Sequence, residues 1–183
     1  HTTAFPGFFL TSLGRPFLRL LYTGFMTTEN AVCFVAEEQG RVMGFAVGTL
    51  TPGSFFSKLL RRRAARFAVA AIPGLLRHPS LVIRKCLRAL FYRGEKPPGL
   101  IDAALLSSLA VSPNAQRCGI GRALVTAFTE HVRACGGKAI YLATDETDNE
   151  HVNRFYARCG FELSDTFERP GNRTMNRWIL QLQ

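Results

Sequence analysis

Metal-binding and disulfide-forming residues are sparse in this chain, and their spacing rules out several functions. The five cysteines, Cys33, Cys86, Cys118, Cys135 and Cys159, are odd in number and scattered, and no pair has C-x-x-C spacing. Neither a zinc ribbon nor a disulfide scaffold is indicated, and reduced thiols packed as small hydrophobes are expected. The four histidines form no H-x-E or other metal-ligand pattern, so no metal site is predicted. His151 lies near Asp145, Asp148 and Glu150, but a solvated side chain is the expectation there. No uninterrupted apolar stretch approaches about 18 residues, so no spanning helix is predicted. Acidic residues are absent altogether between Gln39 and Gly94, where eleven lysines and arginines lie. With 23 basic against 13 acidic residues the formal charge is +10. That excess permits attraction to an anionic cofactor, membrane or nucleic acid, and carries no information about fold.

What is present is an ordinary globular composition, 183 residues with 47% hydrophobic and 20% charged, enough for one domain with a sizeable core. The first residue is His1 rather than Met, and an N-terminally trimmed chain is expected. Phe5 to Phe25 predicts one or two short helices broken near Gly14-Arg15-Pro16, their aromatics packed on a sheet. Ala31 to Ala36 and Val42 to Leu50 read as a hairpin turning at Glu38–Arg41, with Gly44 and Gly48 marking a bulge or close packing. Phe55 to Ile72 reads as a helix stopped by Pro73-Gly74, and Pro79 to Phe91 as a second one. Arg61 to Arg93 supplies a basic, amphipathic character to this stretch, suited to an anionic surface or, more plainly, to a solvated face over a packed one. Further strands are expected at Ile101–Val111, Lys138–Ala143, Phe161–Phe167 and Thr174–Leu182, with helices at Gly121–Ala134 and Asn149–Arg158 and a turn at Pro170-Gly171-Asn172.

The stretch with most chemical content is Gln116-Arg117-Cys118-Gly119-Ile120-Gly121-Arg122. A strand ends near Val111, Ser112-Pro113-Asn114 turns, and two glycines lead into a helix. Successive backbone N–H groups at such a turn, with the helix's first turn, form a nest for phosphate. Glycine is needed where a Cβ would block positive φ or the ligand's approach. The run is neither a dinucleotide fingerprint, which wants a third glycine, nor a Walker A loop, which wants Gly-Lys-Ser/Thr. Taken alone, such glycines are as often plain turn residues.

The residues downstream extend the pattern. Gln116-x-x-Gly119-x-Gly121, preceded by Leu109-Ala110-Val111-Ser112-Pro113 and followed by Asn149 and Phe155-Tyr156-x-x-x-Gly160-Phe161, closely resembles the acyl-CoA-dependent GNAT acetyltransferase superfamily from about Ile101 to Leu180. The resemblance implies an α/β fold, a twisted, mixed and mostly antiparallel sheet flanked by helices, as one domain over residues 1–183. In the family's strand count the first strand is absent here, and residues 51–100 form a basic helical insertion between the third and fourth strands.

The resemblance also implies acetyl-CoA as cofactor. Gln116, Arg117, Cys118, Gly119, Ile120, Gly121 and Arg122 would hold its pyrophosphate, backbone atoms of Leu109, Ala110 and Val111 its pantetheine arm, and Asn149 would reach that arm or cap the helix that follows. Tyr156 stands where the family commonly carries the acid that protonates the leaving thiolate. The base departs from the pattern. The position at which many relatives carry glutamate is Leu105, and Asp102 is the strand's only carboxylate, normally facing the opposite side unless a bulge re-aims it. Ser107 and Ser108 can hold a water but are not bases, and Cys118 has no nucleophile context. The implied reaction moves an acetyl group to the amine of a small molecule or peptide by direct attack in a ternary complex. The acceptor class includes anionic and nucleotide-linked amino sugars. A non-catalytic acyl-CoA-binding regulatory module and an O-acetyltransferase are the alternatives. A cytoplasmic location is expected, with peripheral contact between Arg61–Arg93 and anionic membrane and oligomerisation both compatible; nucleic acid is disfavoured because no binding module accompanies the charge.

Overall fold

The computed structural model describes residues 1–5, 9–77, 97, 99–169 and 173–182. Two helices, α1 (Phe9–Ser12) and α2 (Arg15–Thr27), meet at Gly14, whose φ of 89° and the following Pro16 make the break. A hairpin of β1 (Ala31–Glu38) and β2 (Arg41–Thr49) follows, then the long helix α3 (Pro52–Arg77). Strand β3 (Ala103–Val111) leads through a 3₁₀ turn at Pro113–Ala115 into α4 (Ile120–Ala134) and β4 (Ala139–Asp145). Helix α5 (Glu150–Arg158) and strands β5 (Glu162–Arg169) and β6 (Arg173–Gln181) complete the order.

The six strands form one sheet in the order β1-β2-β3-β4-β6-β5. Every neighbouring pair is antiparallel except β3 and β4, which run parallel. Helix α4 makes that crossover, as a parallel connection requires. The sheet is therefore mixed and mostly antiparallel, with helices on both faces.

Two apolar layers hold it. Leu124, Val125, Phe128 and Val132, spaced along α4 at helical intervals, are all buried against Val32, Ala46, Ala104, Leu106, Ile140, Leu142 and Trp178. On the opposite face Phe25 of α2 and Phe55, Leu59 and Phe67 of α3 cover Val47, with the Phe25 and Phe55 rings 4.7 Å apart and Phe17 5.1 Å from Phe67. The N-terminal aromatics thus pack as their composition implies. Helix α4 ends in a Schellman turn: Gly136, at φ 77°, donates to Arg133 and Gly137 to Val132, which satisfies carbonyls the helix leaves open.

One expectation fails. Pro73-Gly74 does not stop α3, which runs on to Arg77; its break lies instead at Arg63, with φ −136° and ψ 20°. A helical proline forfeits the hydrogen bond to the residue four before it, and that residue, Val69, is 66% exposed. Gly74 serves a contact rather than a stop, since a Cβ there would lie 2.8 Å from Leu13 Cα and from the Ser12 carbonyl oxygen. The helix expected at Pro79–Phe91 and the turn at Pro170–Asn172 lie outside the described residues. Between β2 and β3 the described structure is thus one kinked helix. Among the described residues no helix is long and apolar enough to cross a membrane, and no group of three or more His, Cys, Asp or Glu is placed to hold a metal ion.

Candidate active site

Strands β3 and β4 begin together and then part. Their parallel pairing covers Ala103 with Ala139, Ala104 with Ile140 and Leu105 with Tyr141. Beyond that, β3 continues to Val111 paired only with β2, and β4 continues to Asp145 paired only with β6. A cleft opens between them whose vertex lies at Leu105 and Tyr141. Along its β3 wall, Leu106 to Val111 keep backbone groups with no strand partner on that side, and such groups require a hydrogen-bonding occupant or water.

A bulge sits just past the vertex. Val47 pairs with Ser108 and Gly48 with Leu106, so Ser107 is the extra residue on β3. The bulge reverses the strand's alternation. Ala104 and Leu106 face the α4 layer, whereas Ser108, opposite Val47, faces the layer built by α2 and α3. Gly48 makes the close approach here, because a Cβ on it would overlap the Leu105 carbonyl oxygen.

The cleft's mouth is lined by the glycine turn. Arg117 and Gly119 both hold positive φ, 65° and 79°, and Gly119 caps α4 in the left-handed region. No side chain caps this helix; the first internal bond runs from the Ala123 N–H to the Gly119 carbonyl. The N–H groups of Ile120, Gly121 and Arg122 are consequently the unpaired donors of a first turn, at the positive end of the helix dipole. Gln116, Arg117, Cys118 and Gly119 are exposed, as is Arg122. Nothing lies within 4 Å of a Cβ built on Gly119, so the space above the cap is open. Gly121 has a different reason: its Cβ would sit 3.3 Å from the Phe155 ring and 3.6 Å from Val111. The small residue lets α5 close against α4 and the end of β3. Cys118 points within the turn, its thiol 3.5 Å from the Gln116 carbonyl.

Asn149 stands at the N-cap of α5 without a side-chain cap bond; its amide donates to the Asp145 carbonyl at 3.2 Å. Asn153 donates to the same carbonyl at 3.3 Å, and Thr144 Oγ1 donates to Asn153 Oδ1 at 2.6 Å while accepting from the Trp178 indole at 2.9 Å. Arg173 clasps the Asp145 carboxylate through Nε and through Nη2 at 2.6 Å. These bonds pin the open end of β4, the cleft's second wall. Tyr156 is buried one turn along α5, its ring edge-on to Phe155 at 5.1 Å and to Phe161 at 5.6 Å, in the same cluster as Leu106 and Leu142. Burial, and secondarily Cys159, push its phenol well above the ordinary tyrosine value, so it holds its proton throughout neutral pH.

Asp102 is not brought into the cleft. At roughly 3.3 Å per residue it lies about 10 Å along β3 beyond the vertex at Leu105. It takes φ 52°, accepts the Lys138 N–H through its carbonyl at 2.9 Å, and holds its carboxylate 3.9 Å from Lys138 Nζ on an exposed edge. The bulge lies on the far side of the vertex and does not re-aim it. Of the other expected residues, Leu109 to Val111 lie on the β3 wall, Gln116 to Arg122 on the turn that follows, Asn149 beside the end of β4, and Tyr156 in the buried packing of α5.

The opened sheet, with unpaired strand edges and an uncapped glycine-led helix at its mouth, makes an α/β protein with a cleft between two parallel strands. Residues 91–161 match the Acetyltransferase (GNAT) family. Among curated proteins, the Acetyl transferase GW6a of Oryza sativa subsp. japonica is 33% identical over 89 residues, which make up 49% of this chain and 20% of that protein. The chain therefore matches about a fifth of that relative's length. Among solved structures, the ribosomal-protein-S18-alanine N-acetyltransferase of Escherichia coli aligns over 89% of this chain and 75% of its own, with TM-score 0.53 and 14% identity. An aminoglycoside 6′-N-acetyltransferase complexed with coenzyme A aligns over 85% and 75%, with TM-score 0.53 and 15% identity. At these identities the structural likeness is one of fold.

Proposed function

We propose that the protein transfers an acetyl group from acetyl-CoA to an amine by direct attack in a ternary complex. The observation that carries this reading is the cleft between β3 and β4, walled by unpaired backbone and ending at the glycine turn. Acetyl-CoA would supply the activated acyl group as a thioester. The first-turn N–H groups of Ile120, Gly121 and Arg122, with the side chains of Gln116, Arg117 and Arg122, would hold its pyrophosphate. The backbone of Leu109, Ala110 and Val111 matches the amides of an extended arm, and Asn149 holds the opposite wall in place. A backbone donor beside the bulge is suited to polarising a carbonyl. Tyr156, protonated because buried, would give its proton to the departing thiolate.

The acceptor is read as a nitrogen on a small molecule or a peptide end. The relatives of like fold include one named for a ribosomal-protein alanine and one named for an aminoglycoside amine, and the basic excess favours an anionic amine such as a nucleotide-linked amino sugar. The test is release of CoA thiol across amino sugars, nucleotide sugars, polyamines and peptides, with Tyr156→Phe in parallel. Turnover that falls about 10²-fold in the variant, with acetyl-CoA affinity kept, is expected. Acetyl-CoA binding with no acceptor turned over would favour a binding module instead.

A second reading concerns α3. Arg61, Arg62 and Arg66 are exposed beside Val69, Ile72 and Leu76, the last 80% exposed, a mixture suited to peripheral contact with an anionic surface. Salt-sensitive co-sedimentation with anionic but not neutral vesicles supports it, and equal partition to both removes it.

A further inference from the structure

Past the vertex, the α3 side of the sheet carries an ordered guanidinium beside the cleft. Trp178 of β6 packs into the α4 layer, whereas the next residue, Ile179, packs with Leu105, Tyr141 and Phe56 on the opposite side. By alternation Arg177 shares the Ile179 side. It pairs directly with Ala143, two residues beyond Tyr141 on the cleft's β4 wall, and Ala143 is small and exposed. The Arg177 side chain leans the other way, toward β5. Its guanidinium carbon lies 4.6 Å from the centre of the Phe167 ring, and Nη1 donates to both oxygens of Asp165, at 3.1 and 2.8 Å. Nε and Nη2 make no hydrogen bond among the described residues. The Arg177 side chain is 12% exposed against 43% for Asp165, so the guanidinium is held in place.

We propose that Arg177 anchors the acceptor: its Nε and Nη2 hold a phosphate or carboxylate of the substrate while the amine enters the cleft past Ala143. This rests on the acetyl-transfer reading above and narrows the acceptor class within it. The Nε–Nη2 edge of a guanidinium is a planar fork that matches an oxyanion bidentately. Neighbouring strands lie roughly 5 Å apart, so an oxyanion on a guanidinium that leans from β6 toward β5 stands about 5–10 Å from the β4 wall. That span selects among anionic amines. An α-amino acid carries its carboxylate too close to its nitrogen. An amino-sugar phosphate, or a peptide end with an acidic side chain at its second residue, has the reach.

A purely structural ion pair on this face would look different, and Arg173 supplies the comparison. Arg173 gives its Nε and Nη2 to the Asp145 carboxylate, so its fork is spent inside the protein. Arg177 gives Asp165 only Nη1 and keeps the fork. A cross-strand pair whose carboxylate is this exposed adds little to stability. What it does add is order: the ring of Phe167 and the carboxylate together fix the guanidinium before any ligand arrives, which removes part of the side-chain entropy that binding otherwise costs.

Two readouts test the anchor. The first is turnover with acetyl-CoA and matched acceptors: glucosamine against glucosamine 6-phosphate, and alanyl-alanine amide against alanyl-glutamic acid α-amide. In at least one pair the anionic member should show a KM about tenfold lower, and the pair that does so tells a sugar phosphate from a peptide carboxylate. Arg177→Met should abolish that preference and leave the anion-free member and acetyl-CoA affinity unchanged, with Arg177→Lys restoring only part of it. Asp165→Asn removes a charge that repels the incoming anion, so the preference should widen. No preference in the wild-type protein, or equal losses for both members of a pair in both variants, overturns the anchor and leaves acetyl transfer standing. The second readout needs no cofactor. The Arg177 Nε–H signal of arginine-labelled protein, assigned by its loss in Arg177→Met, should shift on titration with glucosamine 6-phosphate or the glutamate peptide and not with their anion-free partners; no shift overturns the anchor. A shift in a protein that turns over none of the acceptors keeps the anion site and sinks acetyl transfer.

Discussion

Replacing Gly48 by alanine should unsettle both the fold and the cleft. The added methyl would overlap the Leu105 carbonyl oxygen and lie 2.6 Å from Phe128 Cζ, where real Cβ atoms essentially never come within 3.0 Å. Phe128 is 1% exposed and cannot swing aside, and the carbonyl belongs to the β3 backbone at the point where β3 and β4 part. Relief demands a displacement of roughly an ångström in strands held by ladders on both sides, so the cost lies at the upper end of overpacking, about 3 kcal/mol. For a chain this size that lowers Tm by roughly 6–12 °C. Two further glycines calibrate the series. Gly40 has open space but φ 75°, and its alanine variant should lose about 1 kcal/mol to left-handed strain alone. Gly53 has open space and no positive φ, in the first turn of α3, and its variant should gain roughly 0.4–1 kcal/mol. Reversible denaturant unfolding measures all three. Gly48→Ala within 1 kcal/mol of wild type would refute the close-approach account.

Gly119→Ala places a side chain at φ 79° with nothing to strike, so stability should fall by only about 1–2 kcal/mol while CoA affinity in calorimetric titration weakens at least tenfold through the disturbed cap; an unchanged affinity would detach the turn from phosphate binding. Thr144→Val removes the acceptor of the buried Trp178 indole and the donor to Asn153, and should cost about 1–3 kcal/mol in chemical unfolding, whereas a neutral outcome would mean that the network does not hold β4. Stability should also fall in strong alkali. Tyr22, lifted to about 12, and Tyr156, raised further in the same direction, bind protons in the folded state that the unfolded chain releases above about 10. Their contribution is full below pH 10 and is lost as pH rises toward 12, so the denaturation midpoint should drop over that window and drop less in Tyr22→Phe. A flat midpoint there would argue against burial of either phenol.

Much of the site was written locally. Leu124, Val125, Phe128 and Val132 announce α4 by spacing, and the glycines at 119 and 121 announce its uncapped start, because both signals involve neighbours a few residues apart. The role of Gly136-Gly137 as a helix stop was equally plain. Pro73-Gly74 misled for the same reason in reverse. A stop signal is a local preference, and packing of Gly74 against α1 carried the helix through it. Asn149 was expected to reach the arm or cap its helix; its side chain makes no cap bond, and its amide donates to the Asp145 carbonyl at the end of β4.

The sequence by itself determined the elements, the alternation of the strands and the chemistry available at the turn, since these follow from residue type and short-range spacing. The tertiary structure alone decided which strands part and where. The single extra residue at Ser107 turned Ser108 toward the α2 side of the sheet. The same pairing left Asp102 outside the cleft. Register is a property of two strands at once, and no pattern read along one of them contains it.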